Sequence, residues 1–434
     1  MTEVITGILV KGFKSIAEPI NIEVRPLTIL AGANSSGKSS IMQPLLMLKQ
    51  TLEAPYDPGP LLIDGPNVRF TSADQFLSRF NGKIEEKFTV GLEVDNVISF
   101  EETFISKPQA GMEIAEITYK DEKGSTTLWP DMTREEAMVA FPPWADAWSE
   151  SSPKGKKRLG NSEWNVVRDR CFLELKVFFT KNNVRGATDL SKPFTSNLLS
   201  LIHVPALRGN PERNYRKTSV GPMFPGTFGT YVASLISHWQ ATKDPRLKDL
   251  GRALELLGLT WKVGARQVDD ISVEVVVGRL PHKAKAKSSD VVNIADVGFG
   301  LSQTLPVVVA LLSAQPGQLV YIEQPEIHLH PRAEVAMAQV LADAARRGVR
   351  VVAETHSSLL ITGIQTLVAE GKLSPEIIKL HWFKRREEDG ITEVFSADLD
   401  EAGAFGEWPE DFADVELKAQ SRYMDAAEQR LRHS

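Results

Sequence analysis

"LTILAGANSSGKSS", Leu27 to Ser40, decides how the rest of the chain is read. A short apolar run enters Gly32, and Gly32–Ser39 fits G-x-x-x-x-G-K-[ST] ahead of a stretch with helical spacing. Strand, glycine-rich loop and helix start, in that order, make a phosphate cradle. The glycines let the loop curl so that main-chain amides and the positive end of the helix face an anion. Gly32, Ala33, Asn34, Ser35, Ser36, Gly37, Lys38, Ser39 and Ser40 are therefore the expected nucleotide contacts. Lys38 would meet the β- and γ-phosphates of ATP, and the Ser39 hydroxyl would ligate Mg²⁺. The following helix, from Lys38 towards Leu52, aligns Ile41, Leu45, Leu48 and Leu52 on one face. Pro44 inside it should kink it or cost a hydrogen bond.

A second stretch, "LVYIEQPEIHLHP" (Leu319 to Pro331), runs four apolar residues into a carboxylate. That is how a buried parallel strand delivers an acid to a metal–nucleotide, and Glu323 is expected to hold magnesium-bound water. Gln324 stands where many ATPases keep the hydrolytic base. An amide can orient water but cannot accept its proton as a carboxylate does. Glu326, beyond Pro325, is the residue that could substitute. "VVAETHSS" ends another strand with Glu354 and His356, and such strand ends gather where a parallel sheet binds ligands. His356 could donate to the γ-phosphate. His328 and His330 have a spacing that two zinc ligands could share, but no cysteine accompanies them, and a packed loop is expected.

The remaining sequence divides into blocks. Residues 1–82 form the first part of the core, and 83–200 a β meander with a variable insertion. Residues 201–289 form a helical linking region, and 290–434 the second part of the core. The alternation in "KFTVGLEV", "VISFEETFI", "MEIAEITYK" and "TTLW" predicts the antiparallel meander, with a turn at "DEKG". From about 130 to 192 a short helix and an exposed loop are expected. Composition is that of a soluble globular protein: 434 residues, 42% hydrophobic, 24% charged and a net charge of −6. That balance sets up no basic field towards nucleic acid. The local clusters at 154–158, 216–218 and 283–287 read as solvated loops, so DNA is compatible with the charge but not required by it. A single cysteine, no membrane-length apolar run and no secretory pattern point to the cytoplasm.

Taken together, "GFKSI", "GANSSGKS", "DVGFGLSQTLP", "IEQPEIHLHP", "AETHSSLL" and "GEWPEDF" resemble the ABC-type ATPase heads of the RecF/SMC/OLD group. The nearest likeness is to compact bacterial ATPases of AAA type, which stand alone or occur in anti-phage operons. The resemblance covers about 1–80 and 290–415 well, and the middle loosely through "HVPALRGNPERNY". It implies an α/β fold: an ABC-ATPase-like head with a mixed sheet around the P-loop, an antiparallel β meander and an inserted α-rich segment.

"DVGFGLSQ" stands at the ABC signature, with Gly298 in place of the usual serine and Gly300 matching the following glycine. In the family this loop closes on the γ-phosphate held by another subunit. Main-chain amides near Gly300 and the Ser302 hydroxyl would serve that anion here. His356 matches the switch histidine, and Gln75 in "FTSADQF" is the expected magnesium-contacting glutamine.

The resemblance further implies a homodimer or a multiple of dimers, with a nuclease- or toxin-like protein effector and a role in anti-phage defence. The alternatives are an ATP-dependent scaffold that does not hydrolyse, and a RecF-type DNA-maintenance ATPase. A P-loop kinase or GTPase would have no use for "DVGFGLSQ" or "AETHS". An OLD-type nuclease would need an acidic metal domain after the core, and a transporter motor a compact helical subdomain in place of the meander.

Overall fold

A computed structural model describes residues 3–80, 82–108, 111–140, 162–179, 184–187, 190–279, 290–406, 421–428 and 430. The basic clusters at 154–158 and 283–287, and nearly all of "GEWPEDF", lie outside the described residues. In the six-stranded central sheet the order is Ile202–Val204, Leu319–Glu323, Arg350–Thr355, Leu27–Gly32, Ile378–Arg385 and Thr392–Ala397. The first five run parallel. Thr392–Ala397 turns back antiparallel in a hairpin about "REEDG", Arg386 to Gly390.

A parallel sheet is covered on both faces, which is why its strands read as continuous apolar runs. Side-chain alternation divides each strand between two cores. Leu27, Ile29, Val320, Ile322, Val351 and Ala353 pack on the face covered by helices Val232–Thr242, Phe299–Ser313, Pro331–Arg346 and Ser358–Ala369. Leu30, Leu319, Tyr321 and Val352 point the other way, towards helix Lys38–Glu53 and a second sheet. That sheet is antiparallel, ordered Ile20–Glu23, Ile5–Lys11, Lys87–Val94, Ile98–Lys107, Gly111–Asp121 and Gly124–Leu128. The predicted meander is thus extended by the two N-terminal strands, and Ile5–Lys11 pairs directly with Lys87–Val94.

The segment after Pro130 differs from its sequence reading. Its short helix, Arg134–Val139, is present and closed by a capping box between Thr133 and Glu136. Beyond it stands a three-stranded sheet, Ser162–Asp169, Phe172–Phe179 and Val184–Ala187. Arg170, left-handed at φ 55°, reverses the first hairpin and leaves Cys171 buried beneath it. In the linking region, helices Val232–Thr242 and Arg246–Leu256 accompany a small sheet around Ser272–Gly278. Among the described residues no helix is long and apolar enough to cross a membrane.

Candidate functional site

The loop between Leu27–Gly32 and Lys38–Glu53 is held by close packing that only glycine permits at two points. Gly32 and Gly37 have φ of 147° and 105°. A Cβ on Gly32 would stand 2.3 Å from the Phe383 carbonyl oxygen, and one on Gly37 would stand 2.4 Å from Thr392 Oγ1. Thr392 braces the loop from the C-terminal hairpin. Its Oγ1 lies 2.8 Å from the Ser36 carbonyl and 2.8 Å from Ser15 Oγ, and its amide donates to the Ser15 carbonyl. "GFKSI" therefore serves as a buttress of the loop. The helix passes through Pro44, so the lost bond, to the Ser40 carbonyl, is the cost the sequence foretold.

Lys38 folds back over its own loop, donating from Nζ to the carbonyls of Gly32 (3.0 Å) and Ala33 (2.7 Å). Burial lowers its pKa to about 8 against the raising influence of Glu354 and Glu326. His356 Nδ1 lies 2.8 Å from the Gly32 carbonyl and 3.4 Å from Lys38 Nζ. A carbonyl only accepts, so Nδ1 carries the proton in that bond. Burial, then the Lys38 charge, lowers the His356 pKa.

Three carboxylates converge on this sheet edge with different partners. Glu354 Oε1 accepts the Ser39 hydroxyl at 2.9 Å, and its Oε2 accepts the buried Tyr321 hydroxyl at 2.8 Å. Burial, then the Glu323 charge, raises the Glu354 pKa. Glu323 turns to a different group: His203 Nε2 at 3.2 Å and the Ala206 amide at 3.1 Å. Burial would raise Glu323, but these bonds outweigh it and hold its pKa below the ordinary value. Glu326 accepts from Thr355 Oγ1 (2.7 Å) and the His356 amide (3.1 Å), with its other oxygen buried and unpartnered among the described residues. Its pKa is raised, chiefly by burial.

Of the expected site residues, Lys38, Ser39 and His356 thus meet through hydrogen bonds around the loop. Ser39 and Glu323, both expected on the magnesium side, share no hydrogen bond among the described residues; Glu354, for which no role was expected, accepts the Ser39 hydroxyl. Gln324 follows the strand in a left-handed turn, φ 47°, and its amide N–H donates to the Glu354 carbonyl. Gln75 is exposed and bonds back to Thr71, from the Thr71 amide to Oε1 and from Nε2 to Thr71 Oγ1, both 2.8 Å. No described bond carries it to the loop. His330 caps helix Pro331–Arg346 through Nδ1, and His328 packs edge-on to Phe299 at 4.9 Å between ring centres.

The signature-like turn opens helix Phe299–Ser313, with Gly298 as its N-cap. A Cβ on Gly300 would meet the His328 carbonyl oxygen at 2.8 Å, so glycine there lets the turn press on the loop after the acidic strand. Ser302 Oγ donates to the Phe299 carbonyl. Among the described residues no hydrogen bond, ion pair or ring contact joins this turn to the phosphate loop of the same subunit. Arg208 was missed entirely. It reaches the carbonyls of Glu323, Gln324 and Gln303, and no spacing in "HVPALRGN" announces that role.

The fit of this edge to a magnesium–nucleotide rests on its donor set. A serine hydroxyl and two carboxylates supply hard oxygen ligands, which Mg²⁺ prefers alongside phosphate oxygens and water. Among the described residues no three His, Cys, Asp or Glu side chains could hold a metal by themselves. A cation here would therefore share its shell with the nucleotide.

Comparison with known proteins places the chain further. No curated protein matches it in sequence. The SMC head bound to the C-winged helix domain of ScpA is similar at 11% identity and a TM-score of 0.47, over 92% of this chain and 99% of that one. The SMC head domain from Thermotoga maritima is similar at 10% identity and a TM-score of 0.38, over 90% and 98%. A family model described as "AAA domain, putative AbiEii toxin, Type IV TA system" matches residues 27–143 and 228–362, more than half of the chain. Because that match covers more than half of the chain and takes in both the Gly32–Ser39 loop and His356, the chain belongs to this family of AAA domains.

Proposed function

We propose that the protein binds ATP with Mg²⁺ on the Gly32–Ser39 loop and hydrolyses it slowly, with an ATP-closed dimer as the working state. The observation that carries this reading is Gln324. It directly follows Glu323 at the end of the acidic strand, where an ATPase base would stand, while Lys38 and His356 both bond the Gly32 carbonyl and Ser39 bonds Glu354. A neutral amide there favours a long-lived bound state over rapid turnover. The dimer is supported by the lack, among the described residues, of any hydrogen bond, ion pair or ring contact between the signature-like turn and the phosphate loop. The two would be complementary halves of a site shared between copies. A protein effector, nuclease- or toxin-like, is the partner that a nucleotide-gated dimer would control, and anti-phage defence is the setting proposed. The toxin–antitoxin wording of the family description supports a regulated effector.

A second reading, a scaffold that binds but does not hydrolyse, is favoured by the same Gln324. Phosphate release by the purified dimer separates the two. Slow turnover that Glu323→Gln eliminates and Gln324→Glu preserves or raises supports the ATPase. General-base help is worth about 10²–10⁴-fold, so partial restoration is measurable. Absence of turnover in the wild type and in Gln324→Glu, with ATP bound, supports the scaffold. Silencing by Glu326→Gln with Glu323→Gln active would move the essential acid to Glu326.

A further inference from the structure

Glu354 has no assigned role, yet of Glu323, Glu326 and Glu354 it alone hydrogen-bonds the phosphate loop among the described residues. The sheet explains why. Arg350–Thr355 lies directly beside Leu27–Gly32, whereas Leu319–Glu323 is one strand farther away. With strands about 4.8 Å apart, Glu354 is one spacing from the loop strand and Glu323 is two. Glu354 shares its face with Val352, the face on which helix Lys38–Glu53 lies, so its carboxylate is aimed at Ser39.

The carboxylate is also fixed from beneath. Tyr321 is fully buried, its ring stacked on His203 at 5.4 Å, and its single hydroxyl proton goes to Glu354 Oε2. Each carboxylate oxygen has two acceptor sites, so one bond apiece leaves capacity on both. Glu323 is its register partner on the next strand, and side by side the two acids repel. The nearby lysines do not pair with them: Lys38 Nζ donates to Gly32 and Ala33, and Lys14 Nζ to Gln43. Among the described residues no lysine or arginine hydrogen-bonds Glu354. An oriented acid with open acceptor capacity, beside a hydroxyl and a phosphate cradle, suits a hard divalent cation shared with phosphate.

We propose that Glu354 is the carboxylate that secures the nucleotide's Mg²⁺ against Ser39, with Glu323 the outlying acid of the pair. This rests on the ATP-binding reading given above. The position vacated by an acid at Gln324 is thereby matched by an acid on the neighbouring strand, nearer the loop.

The test uses Mn²⁺ in place of Mg²⁺ and a non-hydrolysable ATP analogue. Free Mn²⁺ is followed by electron paramagnetic resonance in the full-length protein, and analogue affinity is measured separately in EDTA. Glu354→Gln should weaken Mn²⁺ binding by about 10- to 100-fold while metal-free analogue affinity holds, since changes around a metal site typically have effects of that size. Glu354→Asp should retain part of the affinity. Tyr321→Phe, which keeps the ring and removes only the hydroxyl, should show a smaller loss, and these two carry the test if Glu354→Gln fails to fold. Wild-type Mn²⁺ affinity in Glu354→Gln, or in both of the other variants, with the analogue bound, overturns the proposal and leaves the ATP reading standing. Failure of the wild type to bind the analogue at all overturns both.

Discussion

Arg208 donates to the main-chain carbonyl of Gln324 at 3.0 Å, and so grips the residue proposed to stand where a hydrolytic acid is usual. The same guanidinium reaches the Glu323 carbonyl at 2.5 Å and the Gln303 carbonyl, in the signature helix, at 3.1 Å. Gln303 returns a bond from Nε2 to the Gly209 carbonyl at 2.8 Å. One planar fork thus ties the end of the acidic strand to the element expected to meet a second subunit. Burial lowers the Arg208 pKa to about 10, opposed by Glu326 and Glu323, and it stays charged at neutral pH.

Arg208→Ala should lower stability by about 2–3 kcal/mol, because three charge-assisted hydrogen bonds from a buried guanidinium are lost. Arg208→Lys keeps the charge but not the fork, and should recover little of it. Urea unfolding measures this. A change within error for Arg208→Ala would show that the clamp contributes nothing.

The signature turn is better probed at Ser302 than at Gly300. Any side chain at Gly300 collides with the His328 carbonyl, so Gly300→Asp mixes a packing fault with the added charge. Ser302 is only partly buried, and its hydroxyl bonds within its own helix turn. Ser302→Asp should abolish turnover through repulsion of the γ-phosphate across the dimer while the lone subunit still binds ATP. Unimpaired turnover with Ser302→Asp would remove the turn from the site.

Acid should weaken the fold through His381. This buried imidazole bonds to Ser396 Oγ and to the Glu23 carbonyl, both at 2.8 Å, with Lys379 and Arg25 nearby. Burial chiefly lowers its pKa from 6.5 to about 4, against the raising effect of the Glu23 bond. The unfolded chain therefore takes a proton that the native state refuses. Its contribution is whole above pH 6.5 and is lost as pH falls towards 4. Between pH 7 and pH 5 the loss is about 2 kcal/mol. Denaturant titrations of the wild type and His381→Gln should show a flatter pH dependence in the variant; equal slopes would contradict it.

Much of the sheet edge was legible because buried parallel strands write themselves as apolar runs ending in polar residues. "LTILAG", "LVYIE" and "RVVAET" are such runs, and the loop and helix after Leu27–Gly32 follow from glycine and lysine spacing. What spacing along the chain cannot express is strand order. Only the placement of Arg350–Thr355 between the other two brings Glu354, rather than Glu323, to Ser39. Arg208 was hidden for a related reason: its partners are main-chain carbonyls, which leave no mark in a sequence. The hairpin about Arg170 was overlooked because its flanks read as part of a polar insertion, although "FLELKVFF" is rich in strand-forming residues. Gln75 was expected from its position in a resembled family, and its side chain bonds to Thr71.

The central claim is that ATP is held on the Gly32–Ser39 loop, and calorimetric titration of ATP with Mg²⁺ into wild type and Lys38→Ala tests it most directly. Among the described residues Lys38 Nζ hydrogen-bonds only its own loop, with His356 Nδ1 beside it at 3.4 Å, so its removal spares the cores on either side of the sheet. Saturable binding by the wild type, and its loss in a Lys38→Ala variant of unchanged thermal stability, is the predicted result. Undiminished ATP affinity in Lys38→Ala would contradict the account.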